Sequence, residues 1–117
     1  MRKISIDFDE VLYNLNEATQ KFLEKTYNET VDRKNITYWS YLCDNFPKIV
    51  ECWSKFEHYS QGNFFDGAQD FMSELRKRYD VTIVTSTPVT IENEKDEMIK
   101  DYLANEDRFS VEKASKN

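Results

Sequence analysis

Apolar and polar positions along the chain change period several times, and each change predicts an element. Ile4-Ser5-Ile6 alternates β-branched residues with a small one, which predicts a short strand that could be buried. Leu12, Leu15, Ala18, Phe22 and Thr26 then recur at helical spacing, with Asn14 or Asn16 available as a cap. Asn28 to Asn35 is polar and loop-like, and the aromatic cluster Tyr38-Trp39 with Tyr41-Leu42 follows. Asn45 and Pro47 open a further helix, since proline is tolerated in a first turn; Ile49, Trp53 and Phe56 share its face, with Cys52 beside them. No strand pattern interrupts residues 16–60, which read as a small helical subdomain.

Gln61-Gly62-Asn63 marks a turn. Asp66 caps the next predicted helix, whose stripe is Ala68, Phe71, Met72, Leu75 and Tyr79, and basic Arg76, Lys77 and Arg78 lie in its last turn, opposing the helix dipole. Val81-Thr82-Ile83-Val84-Thr85 is the clearest strand and ends in the hydroxyl-rich turn Thr85-Ser86-Thr87-Pro88. A helix is expected from about Glu92 to Leu103, with Met98, Ile99, Tyr102 and Leu103 apolar. Phe109-Ser110-Val111 is placed to begin a third strand, and the polar end from Lys113 to Asn117 is expected to fray. Strands alternating with helices make βαβ units, hence an α/β fold with a parallel sheet and right-handed crossovers.

With 117 residues, few glycines or prolines, 39% hydrophobic residues and 15% aromatics, one small globular unit with a real core is expected. The formal charge of −6 argues against binding nucleic-acid polymers, which takes basic patches. It leaves room for a small anion, because a bound metal can invert the local field. Cys43 and Cys52 are too few for a disulfide scaffold or zinc site and are read as small core residues. Neither a signal peptide nor an apolar run of membrane-spanning length is present, so a cytoplasmic setting is the default expectation.

The chemistry concentrates where strands end. Asp7 and Asp9, with Glu10 beside them, follow the first strand directly. Two acids there repel and resist burial unless a cation joins them; a solvated acidic turn is the plain alternative. In open α/β sheets, however, ligands bind just beyond the carboxyl ends of strands. Parallel strands bring Asp7 and Asp9 near Thr85 and Ser86. Asp7 suits a nucleophile toward cation-bound phosphorus, and hydroxyls and N–H groups after the second strand can hold phosphate oxygens. Lys95 shares a helix face with Ile99 and Tyr102. Taken alone it reads as a lysine snorkelling from a helix edge; beside the strand ends it would offset phosphate charge.

These residues resemble the haloacid dehalogenase-like (HAD) phosphatases. Ile6-Asp7-Phe8-Asp9-Glu10-Val11-Leu12 resembles their first motif, Val81 to Thr85 their second, and Glu94-Lys95 at a helix start their third. Gly62-Asn63-Phe64-Phe65 and Thr85-Ser86-Thr87-Pro88 are similar to the layout of the 5'(3')-deoxyribonucleotidases and related nucleotidases, and the resemblance covers nearly the whole chain. It implies a HAD-like Rossmannoid parallel sheet of about three strands, from residues 1–15 and 61–117, with a helical cap over 16–60. It further implies a Mg²⁺-dependent phosphatase acting on a nucleoside monophosphate. In that scheme Asp7 attacks phosphorus, Asp9 acts as acid and then base, and Asp7 with Asp9 holds Mg²⁺. Thr85, Ser86 and Lys95 would bind the phosphoryl group, while Phe64 or Phe65 would stack on a base or serve as ordinary core.

The family's fourth motif, an acidic pair after a further apolar strand, has no counterpart here. Asp101, Glu106 and Asp107 follow Lys95 without such a strand and read as surface acids; either a shortened product of a longer gene or a naturally reduced relative would leave Mg²⁺ one carboxylate short. A non-catalytic phosphate- or nucleotide-binding protein on the same scaffold is therefore the second reading. In the family's sheet the missing strand flanks the first one, so Lys3 to Asp7 are expected to present an open edge. That edge would support a homo-oligomer, borrow cover from a partner, or be covered by the tail from Phe109 to Asn117.

Overall fold

The computed structural model describes residues 2–102 in full and the backbone of 109–113. Three parallel strands, β1 (Arg2–Asp7), β2 (Tyr79–Thr85) and β3 (Phe109–Lys113), form one sheet in the order β1-β2-β3. Ile4 lies opposite Val81, Ile6 opposite Ile83 and Asp7 opposite Val84, so the C-terminal ends of β1 and β2 coincide. Parallel strands need long crossovers. The first contains helices α1 (Leu15–Tyr27), α2 (Arg33–Ile36), α3 (Trp39–Asp44), α4 (Phe46–Ser54), α5 (Phe56–Tyr59) and α6 (Ala68–Arg76); the second contains α7 (Glu92–Tyr102). The mixed α/β architecture is thus the one expected from the pattern.

Only one face of β2 is sealed. Val81, Ile83 and Thr85 are buried, whereas Asp80 is exposed and Thr82 and Val84 are half-buried. β1 is thinner still: Lys3, Ser5 and Asp7 are exposed, and Ile4 and Ile6 only half-buried. Phe8, Leu12, Tyr13, Met72, Ile91 and Ile99 complete the sheet-side core. A second cluster of Phe22, Leu23, Val31, Ile36 and Cys52 lies within the helical insert. Helix α1 joins the two, giving Leu15 and Ala18 to the first and Phe22 and Leu23 to the second.

Several local expectations change. Leu12 precedes α1 instead of opening it, because Asn14 caps the helix by accepting from the Glu17 N–H at 3.1 Å. The polar stretch after Asn28 contains α2, capped by Asp32. Extended backbone at Lys55 separates α4 from α5, so Phe56 sits on a different helix from Ile49 and Trp53. Gly67, at φ +82°, takes the cap position expected of Asp66. Phe71 is exposed and Tyr79 begins β2, so the α6 stripe is narrower than its apolar residues suggest. Cys43 is exposed and Cys52 buried, both free thiols, so only one of the two is a core residue. The tail runs along β2, not along β1: Phe109–Lys113 pairs with Val81–Thr85. Phe109–Lys113 therefore does not supply the cover of β1 for which the tail was the alternative. Leu103, Glu106, Asp107 and residues 114–117 lie outside the described residues.

Candidate functional site

Beyond Asp7 the chain turns sharply. The Phe8 carbonyl accepts from the N–H groups of Leu12 and Tyr13 at 2.9 and 3.1 Å, and Glu10 adopts φ 63°, a strained setting for a non-glycine residue. This turn swings Asp9 back over the end of β2. The Lys95 ammonium donates to Asp9 Oδ2 at 3.0 Å, to Thr85 Oγ1 at 2.7 Å and to the Ser86 carbonyl at 3.3 Å. Thr85 Oγ1 lies 3.5 Å from the same Asp9 oxygen. Residues separated by up to 86 positions thus share one cluster at the sheet's C-terminal edge.

Lys95 does not snorkel. Its side chain is 1% exposed against 24% for Asp9, and the ammonium lies 5.5 Å from the Phe8 ring centre and 5.0 Å from that of Tyr59. Burial pushes its pKa below the usual lysine range, and the Asp9 carboxylate pulls the other way. The buried cation is thus held by one half-buried carboxylate, a hydroxyl and a carbonyl.

Two residues not anticipated as site residues complete the cluster. Tyr59, on α5 of the insert, donates its O–H to Asp9 Oδ1. Tyr13 donates to the Tyr59 carbonyl and accepts from the Gly62 N–H at 2.9 Å. Gly62 is required there: a Cβ would fall 2.5 Å from the Asn14 carbonyl oxygen. No local pattern marks Tyr59 as a partner of Asp9, fifty residues away.

The remaining expected residues divide. Asp7 is exposed at the end of β1, and its carboxylate makes no hydrogen bond or ion pair among the described residues. The Ser86 side chain is exposed, and its backbone carbonyl, not its hydroxyl, meets Lys95. Phe64 packs as core: Tyr102 stacks on it at 3.4 Å, and Phe8 and Tyr13 meet it edge-on. Phe65 is half-buried beside a cavity shared with Asn14, Glu17, Asn63 and Asp66. Asp101 is exposed on α7.

For Mg²⁺ the donor set is small. Among the described residues no three acidic, histidine or cysteine side chains cluster, and the Asp9 carboxylate is engaged by Lys95 and Tyr59. The Asp7 carboxylate and the Asp9 carbonyl remain open. One carboxylate and one carbonyl are fewer donors than a protein-built Mg²⁺ site supplies, so an ion there would have to keep most of its waters.

Burial lifts the Tyr59 phenol well above the ordinary tyrosine range, with the Asp9 carboxylate adding to it. Burial does the same for Tyr13, against the Gly62 N–H. In the unfolded chain both ionise near about pH 10. Above that pH the folded protein binds more protons than the unfolded one, so stability falls by up to about 1.4 kcal/mol per pH unit for each tyrosine. Lys95 acts oppositely: below about pH 10 the unfolded chain holds its proton more tightly, so stability rises with pH as the folded-state amine sheds its own. Denaturation at stepped pH should therefore show a mild rise followed by a steep alkaline loss, shallower in Tyr59→Phe. Ionisation of every tyrosine near pH 10 without loss of the fold would contradict this.

Comparison of the chain with protein-family profiles and with curated sequences finds no match to either.

Proposed function

We propose that the chain is a HAD-like phosphatase that hydrolyses the phosphate of a nucleoside monophosphate through an aspartyl-phosphate, with Mg²⁺ as cofactor. The observation that carries this reading is the buried Lys95 ammonium joined to Asp9 and Thr85 at the shared end of β1 and β2, just beyond Asp7, the last residue of β1; to attack a phosphate held there, Asp7 must turn from the face it shares with Lys3 and Ser5. A lysine is costly to bury, and a site that gathers it with hydroxyl and carboxylate groups at a strand end suits a phosphoryl group.

The incoming phosphate oxygens replace part of what Asp9 gives Lys95, and the Thr85 hydroxyl donates to a second oxygen. An Asp7 oxygen attacks phosphorus in line, forming the Asp7–phosphorus bond as the bond to the nucleoside oxygen breaks. Asp9, taking a proton from solvent once the phosphate has displaced it from Lys95, hands that proton to the leaving oxygen. Asp9 then takes a proton from the water that attacks phosphorus, releasing inorganic phosphate and restoring the Asp7 carboxylate. Tyr59 holds Asp9 through Oδ1, which orients the carboxyl for both transfers. Mg²⁺, held by the Asp7 carboxylate and the Asp9 carbonyl, would neutralise phosphate charge.

The small donor set supports a second reading, a phosphate- or nucleotide-binding protein without turnover. Release of inorganic phosphate from a panel of nucleoside monophosphates and an aryl phosphate, with Mg²⁺ and with chelator, separates the two. The expected result is chelator-sensitive release. Saturable binding of nucleoside monophosphates without release would favour the second reading, and neither binding nor release would remove both.

A further inference from the structure

The open side of β1 is self-complementary. Its neighbour on one side is β2, and among the described residues no strand pairs with the other side. Arg2, Lys3, Ser5 and Asp7 are exposed, and Ile4 and Ile6 are only half-buried. An unblocked edge of this kind offers a row of backbone donors and acceptors to another strand.

Symmetry and charge select the occupant and the register. A two-fold axis between antiparallel copies of one strand must pass through a residue that faces itself. Centred on Ser5, the pairing sets Lys3 opposite the partner's Asp7, Ile4 opposite the partner's Ile6, and the reverse by symmetry. Both ion pairs then lie on the open face with Ser5, and both isoleucine pairs lie on the face that already carries Val81 and Ile83. Opposite charges and β-branched residues in direct opposition are the favourable cross-strand pairs. Centring on Ile4 would set Arg2 against Ile6, and centring on Ile6 would call on Asp9, which Lys95 already holds. A one-residue slip would oppose residues from different faces, and a parallel in-register arrangement would stack Lys3 on Lys3. Lys3 and Asp7 make no ion pair among the described residues, so both are available.

We propose that two copies of the chain pair antiparallel along β1 about an axis at Ser5, joining two three-stranded sheets into one, with Lys3 of each copy meeting Asp7 of the other. The interface is an edge, so association is weak. It does not rest on the phosphatase reading, and it engages the same Asp7 carboxylate, so the paired form would hold that group away from a phosphate.

Sedimentation equilibrium across roughly 10 to 500 µM should show a monomer–dimer equilibrium that weakens with added salt. Lys3→Asp and Asp7→Lys should each raise the dimer Kd by about tenfold or more. The double variant Lys3→Asp with Asp7→Lys should recover most of the loss, because it restores both pairs with reversed sign. Far-UV circular dichroism verifies that each variant is folded. Independently, Ser5→Cys in a Cys43→Ser background should form an interchain disulfide on mild oxidation, since directly opposed strand residues fall within disulfide reach. Amide exchange at Ile4 to Ile6 should slow as concentration rises. A strict monomer over this range overturns the proposal, and protected β1 amides in such a monomer would assign the edge to another segment of its own chain. A dimer indifferent to the charge reversals, or one that Ser5→Cys does not cross-link, overturns it equally.

Discussion

Asp7→Asn is expected to abolish phosphate release, by roughly 10⁴-fold or more as for loss of a covalent nucleophile, while leaving the monomer's stability nearly unchanged. The amide lacks the charge and the lone-pair basicity to attack phosphorus. The Asp7 carboxylate is exposed and makes no hydrogen bond or ion pair among the described residues, so its removal leaves no buried group unsatisfied. Surface changes of this kind stay within about 0.5 kcal/mol. Asp9→Asn should behave differently, because it leaves the buried Lys95 ammonium without its counter-charge; activity and stability should fall together. Initial-rate phosphate assays beside thermal melts separate the two. Equal rates for Asp7→Asn and the unchanged protein would remove Asp7 as nucleophile and the covalent mechanism with it.

The second large effect is at Lys95. Lys95→Met keeps the length of the side chain and removes its charge. Competition by orthovanadate or inorganic phosphate should weaken by about 100-fold or more, as for a lost charge-stabilising donor. Stability should drop by about 1–3 kcal/mol, because Asp9 loses its cation and keeps only Tyr59 and Thr85 as partners. The figure sits below that of a fully buried pair, since the Asp9 side chain retains 24% exposure. Adding Asp9→Leu should return much of the stability without any phosphate affinity, because an apolar pair replaces the ionic one. Lys95→Arg should not substitute, as a planar fork does not fit a slot between the Phe8 and Tyr59 rings built for a point charge. Unchanged phosphate affinity in Lys95→Met would make this lysine a structural counter-ion for Asp9 and nothing more.

Much of the architecture could be read along the chain. Period-two runs at Ile4–Ile6 and Val81–Thr85 and period-3.6 stripes between them are local properties, and the handedness rules for βαβ units carry them to a parallel sheet. The same rules place Asp7 and Asp9 near Thr85 and Ser86; Asp9 meets Thr85, whereas the Asp7 carboxylate makes no hydrogen bond to either among the described residues. The insert was legible as helical but not as five separate helices, because segments as short as Arg33–Ile36 and Phe56–Tyr59 are marginal on their own and take their ends from packing.

What stayed illegible depends on contacts distant in sequence. Helical spacing puts Lys95 on the core face with Ile99 yet leaves open whether its head reaches water; burial against Phe8, Tyr59 and Asp9 decides that. Tyr59 carries no local signature, since its meaning lies in a carboxylate fifty residues earlier. Phe64 and Phe71 look alike as apolar residues, but one is stacked on Tyr102 and the other faces solvent. Cys43 and Cys52 divide in the same way. Periodicity reports which face a residue occupies; whether that face is covered depends on which other segment arrives there, and that information is spread over the whole chain.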